Sequence, residues 1–205
     1  MKLPELKIGN KIAKVPIIQG GMAVRLSTAR IAAAVANEGG IGLIAASGMP
    51  TDELRYEIRL ARSLTSGIIG INIMVAARGF SEIVKTAIEE GIDLVVAGAG
   101  FSRDMFGLGQ ESGTPIVPIV SSAKALKIIC KRWTQRYNRL PDAIVVEGPL
   151  SGGHQGFTYE QCSQAEYQLE NLIAPILEEI KEWGDFPLIA AGGIWDHQDI
   201  ADMIE

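Results

Sequence analysis

The sequence has few of the residues on which disulfide-rich, metal-binding or membrane-spanning proteins depend. It contains two cysteines, Cys130 and Cys162, and two histidines in 205 residues. Two cysteines outside any Cys-x-x-Cys pattern exclude a disulfide framework, so a reducing cytoplasm is the expected compartment. The sequence contains no cluster of carboxylates and histidines of the kind that binds a metal ion, so no metal site is expected. No apolar run reaches the length needed to span a bilayer.

The sequence also lacks the basic excess that is typical of nucleic-acid-binding proteins. Its 19 Lys and Arg residues are outnumbered by 24 Asp and Glu residues, which gives a net charge of −5. One short basic cluster, between Lys131 and Arg139, fits a solvated helix face better than a nucleic-acid site. The segment Met1 to Glu5 lacks the apolar core of a signal peptide. We therefore expect a soluble intracellular protein with neither a nucleic-acid nor a membrane partner.

What the sequence does contain is a regular alternation of apolar strands and amphipathic helices. A hydrophobic fraction of 47% in 205 residues is enough for one sizeable core, so we expect a single domain over residues 1–205. Strands are predicted at 15–18, 41–45, 68–74, 94–98, 115–120, 142–147 and 187–191. Helices are predicted at about 27–37, 51–64, 81–90, 123–137 and 164–183, with a weak helical piece at 102–112 and a last helix from about 196.

Strands that are apolar on both faces and alternate with helices indicate a parallel α/β sheet. Seven strand–helix units favour a (β/α)8 TIM barrel that is truncated after its seventh strand. The alternative is a doubly wound open sheet, which expects Gly-x-Gly-x-x-Gly after the first strand. The segment from Gln19 to Val24 does not supply that pattern. The barrel is therefore the preferred fold.

The loops that follow these strands are short, rich in small residues and nearly free of charge. The active site of a (β/α)8 barrel is built from the loops at this end of the strands. A tight turn explains any one glycine pair, but seven such loops in the same position favour a large flat ligand lying against backbone amides. The clearest phosphate-type loop is Gly192-Gly193, because it follows the seventh strand and precedes a helix. A flavin mononucleotide would place its phosphate there.

The loop from Glu147 to Phe157 contains a candidate acid or base. It carries four glycines, Pro149 and His154 directly after a β-branched strand. Glycines allow close approach of the backbone to a ligand, and a histidine can exchange a proton near neutral pH. The alternative is a flexible surface turn in which the histidine is incidental.

Four segments together resemble the nitronate monooxygenases, formerly called 2-nitropropane dioxygenases. The same superfamily contains the flavin-dependent enoyl-[acyl-carrier-protein] reductases. The resemblance runs in the same order from about Leu3 to the last residue, and Gly-Gly-His-x-Gly is its most specific part. The segments are Ile17-Ile18-Gln19-Gly20-Gly21-Met22, Gly70-Ile71-Asn72-Ile73-Met74, Gly152-Gly153-His154-Gln155-Gly156 and Ala190-Ala191-Gly192-Gly193-Ile194.

The resemblance implies FMN as the cofactor and a small-molecule substrate. It implies that His154 is the catalytic acid or base, which takes the α-proton of a nitroalkane or protonates the α-carbon of an enoyl thioester. Homo-oligomerisation is left open. The residues implied to contact FMN are Gly20, Gly21, Met22 and Asn72 at the ring, Gly152 and Gly153 beside it, and Gly192 and Gly193 at the phosphate.

Two departures from the family pattern leave three functions open. Leu150 stands where the family commonly has a glutamate, and the nearest acid, Glu147, receives no role. The chain also stops before the family's eighth strand and Gly-Thr turn. The first hypothesis is an FMN-dependent nitronate monooxygenase that converts nitronates or nitroalkanes and O2 to carbonyl compounds and nitrite. The alternatives are an NAD(P)H-dependent enoyl-[acyl-carrier-protein] reductase and a truncated, catalytically inactive barrel fragment.

Overall fold

The computed structural model describes residues 3–23, 25–100, 102 and 105–204. The chain divides into two compact units, residues 1–117 and residues 118–205. Within the described ranges, no helix is both long enough and apolar enough to cross a membrane. Both units are built from parallel strands that alternate with helices, so the predicted α/β class is confirmed.

The first unit begins with a small antiparallel hairpin that the sequence did not predict. Strand β1 (Leu6–Ile8) pairs with β2 (Lys11–Ala13) in the register Leu6↔Ala13. Three-residue strands are too short for an alternating hydrophobic pattern to be recognised. Hydrophobic periodicity therefore could not predict this hairpin.

Three parallel strands follow in chain order and match their predicted bounds. These are β3 (Ile41–Ala45), β4 (Ile68–Met74) and β5 (Leu94–Gly98). Pairing runs in the registers Ile41↔Ile68 and Gly70↔Leu94. Every residue of β3 and β5 is buried, as expected for strands covered on both faces.

The strand predicted at 15–18 is reduced to a single parallel bridge. Ile18 pairs with Ile41, and Ile41 donates its N–H to the carbonyl of Ile17 at 2.9 Å. The chain turns tightly around Pro16, where Ile17 N–H donates to the Val15 carbonyl at 2.8 Å instead of to β3. The segment therefore lies beside β3 without forming a regular strand.

The helices of the first unit cover the strands at close range. They are α1 (Ala29–Asn37), α2 (Thr51–Leu64), α3 (Phe80–Glu89) and α4 (Met105–Gln110). Strand β3 approaches α1 so closely that a Cβ atom on Gly42 would lie 1.9 Å from the carbonyl oxygen of Ala32. Thr28 occupies the N-cap of α1 without a side-chain capping bond, and Ala29 N–H is instead accepted by Glu57 Oε2 at 2.7 Å.

A carboxylate at the amino end of β5 links three separate segments of the first unit. Asp93 accepts hydrogen bonds from Lys11 Nζ at 2.7 Å, Arg62 Nη2 at 2.6 Å and Ile69 N–H at 2.9 Å. Burial alone would raise the pKa of Asp93, but the bonds from Lys11, Ile69 and Arg62 outweigh it and hold that pKa below its usual range. This cluster lies at the end of the strands where barrels place stability rather than catalysis.

The second unit repeats the same parallel arrangement. Strand order follows the chain, with registers Ile119↔Val145 and Ile144↔Leu188. Its elements are β6 (Ile116–Val120, which begins in the first unit), α5 (Ala123–Tyr137), β7 (Ile144–Glu147), α6 (Leu169–Trp183), β8 (Leu188–Ala191) and α7 (His197–Ile204).

Helix α6 begins later than predicted. The residues before it form two short 3-10 turns, Gln161–Ser163 and Ala165–Tyr167. Gln168 ends this segment in an extended conformation, and its Nε2 donates to the carbonyls of Cys162 at 3.0 Å and Gln164 at 3.2 Å. These side-chain to backbone bonds compete with helix formation and postpone the first helical turn to Leu169.

Candidate functional site

The loop after the predicted first strand is held in place by a buried serine. Ser27 Oγ accepts hydrogen bonds from Gln19 Nε2 at 2.7 Å and from Met22 N–H at 2.9 Å, and it lies 3.2 Å from the carbonyl of Gly20. Gln19 Oε1 in turn accepts from Leu43 N–H at 3.1 Å. The sequence analysis gave Ser27 no role other than the start of a predicted helix, so it missed that Gln19 and Ser27 fix this loop against β3.

Two of the predicted ring contacts, Gly21 and Asn72, lie against each other. A Cβ atom on Gly21 would be 2.3 Å from Asn72 Cβ and 2.6 Å from its Oδ1. Asn72 stands in β4, paired with Ala45 and Val96, and its side chain is half-buried. Among the residues that the structure describes, none hydrogen-bonds to the Asn72 side-chain amide. The amide is therefore available to a ligand.

The neighbouring positions Gly20 and Met22 offer open space. Gly20 is exposed, and a Cβ atom there would meet nothing within 4 Å. The Met22 side chain is 44% exposed. Together with Gly21 and Asn72, these positions form a small, uncharged surface at the carboxyl end of β4.

The carboxyl ends of β3 and β4 are tied together by a serine that the sequence did not single out. Ser47 Oγ accepts from Met74 N–H at 2.8 Å, and Ala46 N–H donates to the Asn72 carbonyl at 2.9 Å. A serine in a small-residue loop carries no distinctive sequence signal. The two bonds fix the backbone at the Asn72 carbonyl and two residues after it.

The histidine loop is closed on itself by Gln155 and Ser151. Gln155 Nε2 donates to the carbonyl of Pro149 at 3.0 Å and also to the carbonyl of Ser151. Ser151 Oγ donates to the carbonyl of Gly148 at 2.9 Å. His154 stands between these bonds and is exposed. The loop is therefore an ordered turn rather than a loose one, and Gln155 is a loop-fixing residue that sequence reasoning missed.

The far end of this loop is packed against the body of the second unit. A Cβ atom on Gly156 would lie 2.6 Å from Ser121 Oγ, so a side chain there would displace the serine hydroxyl. Phe157 and Tyr167 stack edge to face with ring centroids 5.9 Å apart. The loop is thus fixed at its base while the imidazole of His154 stays accessible, as an acid or base must be.

Gly152 and Gly153, which precede His154, leave room for a ligand. Both are exposed, and a Cβ atom on either would meet nothing within 4 Å. Gly153 has a φ of +91°, a conformation that favours glycine. Neighbouring side chains do not require glycine at position 152, so close approach of a bound molecule is a sufficient reason for it.

The Gly192-Gly193 turn packs against the start of the histidine loop. Its two residues have φ values of +96° and +85°. A Cβ atom on Gly192 would lie 2.9 Å from the carbonyl oxygen of Gly148 and 3.1 Å from Ser151 N, and one on Gly193 would lie 2.9 Å from Leu150 Cδ1. Both positions therefore need glycine, for conformation and for space. The structure brings these two predicted residues next to the loop that carries His154.

Helix α7, which follows this turn, is already capped by its own carboxylates. Asp196 Oδ1 accepts from Gln198 N–H at 2.9 Å and from Asp199 N–H at 3.1 Å. Asp199 Oδ2 accepts from Trp195 N–H at 2.7 Å. These carboxylates occupy first-turn amides that a phosphate would need. We therefore expect the backbone amides of the Gly192-Gly193 turn, and not those of helix α7, to be the ones available to a phosphate.

In the part of the chain that the structure describes, the remaining reactive side chains do not assemble a metal site. Within the described ranges, no three His, Cys, Asp or Glu residues are grouped so that they could hold a metal ion. Cys130 and Cys162 are free thiols. Burial, with a smaller contribution from the Glu179 carboxylate, raises the pKa of Cys130 to about 12, so this thiol is a core residue and not a nucleophile.

A sequence model described as nitronate monooxygenase matches residues 5–205 of the chain. A relative of Mycobacterium tuberculosis named "(3aS,4S,5R,7aS)-5-hydroxy-7a-methyl-1-oxo-octahydro-1H-indene-4-carboxyl-CoA dehydrogenase" is 28% identical over 186 residues, which cover 91% of this chain and 47% of that protein. A "Probable nitronate monooxygenase" of Staphylococcus saprophyticus is 26% identical, over 100% of this chain and 65% of that protein.

Among solved structures, FabK from Thermotoga maritima superimposes with a TM-score of 0.76 at 31% identity. The match covers 91% of this chain and 53% of FabK. The neighbours of this kind are TIM-barrel enzymes, so the predicted fold class is confirmed. The chain spans about half the length of the first curated relative that it matches, 47%.

Proposed function

Because the chain belongs to the nitronate monooxygenase family, we propose that it carries the FMN site of an oxidoreductase that converts nitronates and O2 to carbonyl compounds and nitrite. The observation that carries the proposal is the ordered Gly-Gly-His-x-Gly loop, which presents His154 to solvent at the carboxyl end of β7. The family and its structural neighbours are oxidoreductases.

The first unit supplies the residues that would contact the flavin ring. The Asn72 amide would hydrogen-bond to it, and the backbone at Gly20, Gly21 and Met22 would lie against it. The available side-chain amide of Asn72 and the open space at Gly20 fit this role. When bound, FMN would supply the electron-transfer chemistry between substrate and O2.

The second unit carries the glycines for which the family resemblance implies phosphate and flavin contacts. The amides of Gly192 and Gly193 would bind the phosphate, because backbone N–H groups in a left-handed turn form a concave site for anions. Gly152 and Gly153 would let the loop pass close to the ring.

His154 would act as the base for neutral nitroalkanes. Its imidazole would take the α-proton, and the electron pair of the broken C–H bond would remain on the substrate as the nitronate. A preformed nitronate has already lost this proton and needs no base. The exposed position of His154 between two glycines and the fixed Gln155 suits such a transfer.

The second candidate is a FabK-like enoyl-[acyl-carrier-protein] reductase, favoured by the 31% identity to FabK. In that reaction His154 would protonate the α-carbon of the substrate. The two functions differ in electron donor, since the reductase requires NAD(P)H. A chain that binds no flavin and has no turnover is the third alternative.

Three measurements on the purified chain separate these candidates. The absorbance spectrum reports bound oxidised flavin, and oxygen consumption with propane-2-nitronate reports nitronate oxidation without NAD(P)H. NADH oxidation with crotonyl thioester reports enoyl reduction. We expect a flavin spectrum and oxygen consumption with nitronate alone. Turnover only with NADH and the enoyl thioester would support the reductase, and a colourless, inactive protein would support the third alternative.

We also infer a cytoplasmic location from the two free thiols, since disulfides are rare in reducing compartments. Quantitative thiol titration of protein isolated from its native cells would test this inference. A disulfide between the two cysteines would contradict it.

A further inference from the structure

The imidazole of His154 has no orienting partner in the part of the chain that the structure describes. None of the described residues hydrogen-bonds to it, and the side chain is exposed. A histidine that acts as a base is commonly oriented by a hydrogen bond at its second ring nitrogen. Without such a bond, the position of this imidazole depends on the backbone that carries it.

The backbone directly before His154 has little intrinsic restraint. Gly152 and Gly153 precede it, and a Cβ atom on either would meet nothing within 4 Å. Glycine loses more conformational freedom on ordering than any other residue. Neither packing nor a side chain limits these two residues, so a bond elsewhere in the loop must hold His154 in one place.

The side chain of Gln155 makes this bond. Its Nε2 donates to the carbonyl of Pro149 at 3.0 Å and also to the carbonyl of Ser151. Both acceptors are carbonyls, so the NH2 group of the amide, and not its oxygen, must face them. The segment between Ser151 and Gln155 consists of the two glycines and His154. The amide therefore closes a short ring that contains His154, and we call its two bonds the Gln155 clamp.

This ring is anchored to the second unit on both sides. Before it, Gly148 N–H donates to the Ala191 carbonyl of β8 at 2.8 Å, and the Gly148 carbonyl accepts from Ser151 Oγ at 2.9 Å. After it, Gln155 Oε1 accepts a weak bond from Cys162 Sγ at 3.6 Å. The Gln155 clamp therefore connects the backbone of His154 to the sheet.

We propose that Gln155 is a positioning residue for proton transfer, because its clamp holds the backbone of His154 where the imidazole meets the α-carbon of the substrate. The inference rests on the proposed function, in which the α-proton goes to the imidazole and the electron pair of the C–H bond stays on the substrate. Such a transfer needs the two groups within about 3 Å, and a misplacement of about 1 Å can cost about 100-fold in rate.

Two substitutions separate the clamp from the volume of the side chain. Gln155→Met keeps the length of the side chain but has no N–H group, so it removes both bonds. Gln155→Lys has a similar reach and supplies N–H donors, so it should restore part of the effect. Gln168→Met is the matched control, because Gln168 Nε2 makes the same kind of bonds, to the carbonyls of Cys162 and Gln164, later in the connection between β7 and α6.

The first readout is nuclear magnetic resonance and needs no turnover. Selective ¹⁵N labelling of histidine reports on His154 and His197, the two histidines of the chain. The order parameter of the His154 N–H should fall from about 0.85 to below about 0.6 in Gln155→Met and should stay near the first value in Gln168→Met. His197 should not change. A low order parameter in the unmodified protein, or an unchanged one in Gln155→Met, would overturn the proposal.

The second readout distinguishes positioning from a general loss of structure. In the FMN-loaded protein, Gln155→Met should lower kcat for 2-nitropropane by about 10-fold to 100-fold. Oxidation of propane-2-nitronate, which has no α-proton to lose, should change little. Equal losses with both substrates would show a merely structural role and sink the proposal. A loss in Gln155→Lys as large as that in Gln155→Met would do the same.

Failure of the proposed function gives a different result. If the unmodified protein does not oxidise nitronates but the order parameter of His154 follows Gln155 as described, the function is wrong and Gln155 still positions His154. If nitronates are oxidised and turnover of 2-nitropropane is indifferent to Gln155, the function stands and this inference falls.

Discussion

Gly21 and Asn72 are packed so closely that a methyl group at position 21 would overlap the asparagine side chain. The distance from an ideal Cβ on Gly21 to Asn72 Cβ is 2.3 Å. The Asn72 amide therefore has its position because residue 21 has no side chain. The loop held by Ser27 and strand β4 are therefore packed directly against each other at Gly21 and Asn72.

We predict that Gly21→Ala weakens FMN binding by moving Asn72. Overpacking of this kind costs about 1–3 kcal/mol, which corresponds to roughly 5-fold to 150-fold in affinity if it is expressed in the bound state. The measurement is FMN affinity by fluorescence quenching. Gly109→Ala is the matched control, because its Cβ would be similarly crowded, 2.6 Å from Thr114 O, in helix α4, which carries none of the proposed flavin contacts. If both variants bind FMN like the unmodified protein, Asn72 does not contact the ring.

The phosphate contact is tested by comparing FMN with riboflavin, which lacks the phosphate. Gly192→Ala should reduce FMN affinity toward that of riboflavin and leave riboflavin binding nearly unchanged, because an alanine at φ +96° distorts the turn whose amides would hold the phosphate. Gly113→Ala is the control, since Gly113 has φ +70° and open space around it. Equal losses for FMN and riboflavin would move the phosphate site elsewhere.

The role of His154 is tested with two forms of one substrate. His154→Ala should slow oxidation of neutral 2-nitropropane by about 10² to 10⁴, the usual contribution of a positioned acid or base. Oxidation of propane-2-nitronate and the flavin content should change little, because neither needs the imidazole. His197→Ala, at the exposed start of α7, is the control. Equal losses with both substrates would contradict the base assignment.

The Asp93 cluster predicts acid-sensitive stability. The pKa of Asp93 is lower in the folded protein than in the unfolded chain, so its contribution to the free energy of unfolding is present above the unfolded pKa and is lost as pH falls through the folded pKa. Asp93→Asn should destabilise the protein by about 1.5–3 kcal/mol near neutral pH, because bonds from Lys11 and Arg62 lose their charged acceptor.

Urea unfolding of both proteins at several pH values measures this effect. The difference between the unmodified protein and Asp93→Asn should shrink as the pH is lowered below the usual aspartate range. A difference that does not change with pH would mean that the charge of Asp93 does not contribute.

The bounds of a strand could be predicted from the sequence where the strand is a continuous run of apolar residues. The runs at 41–45, 68–74 and 94–98 have the observed bounds because they are buried on both faces and end at turns. The segment at 15–18 looked equally apolar, but it turns at Pro16, where Ile17 N–H bonds to the Val15 carbonyl and not to β3. The later start of α6 depends on the Gln168 side chain, whose bonds to the backbone cannot be recognised from periodicity.

The sequence analysis named the glycines and His154 of the candidate site, whose roles stay predictions, but it did not name the residues that fix their loops. The loops were recognisable because glycine after a buried strand has a direct conformational meaning. The residues that fix the loops do so through hydrogen bonds to backbone groups elsewhere in the fold or within the same loop; they are Ser27, Ser47 and Gln155. Serine and glutamine are common in loops of every kind, so these residue types gave no signal in the sequence. Their roles follow only from the three-dimensional arrangement.

The contact between Gly42 and Ala32 sets a limit on variation at a position far from any chemistry. A Cβ atom at position 42 would lie 1.9 Å from a backbone oxygen, which cannot move away as a flexible side chain can. In a library of all single substitutions selected for folding alone, no residue except glycine should survive at position 42. Position 152, where a Cβ meets nothing, should tolerate many residues in that selection and lose them only when flavin binding is also selected. The difference between the two selections would separate glycines kept for packing from glycines kept for a ligand.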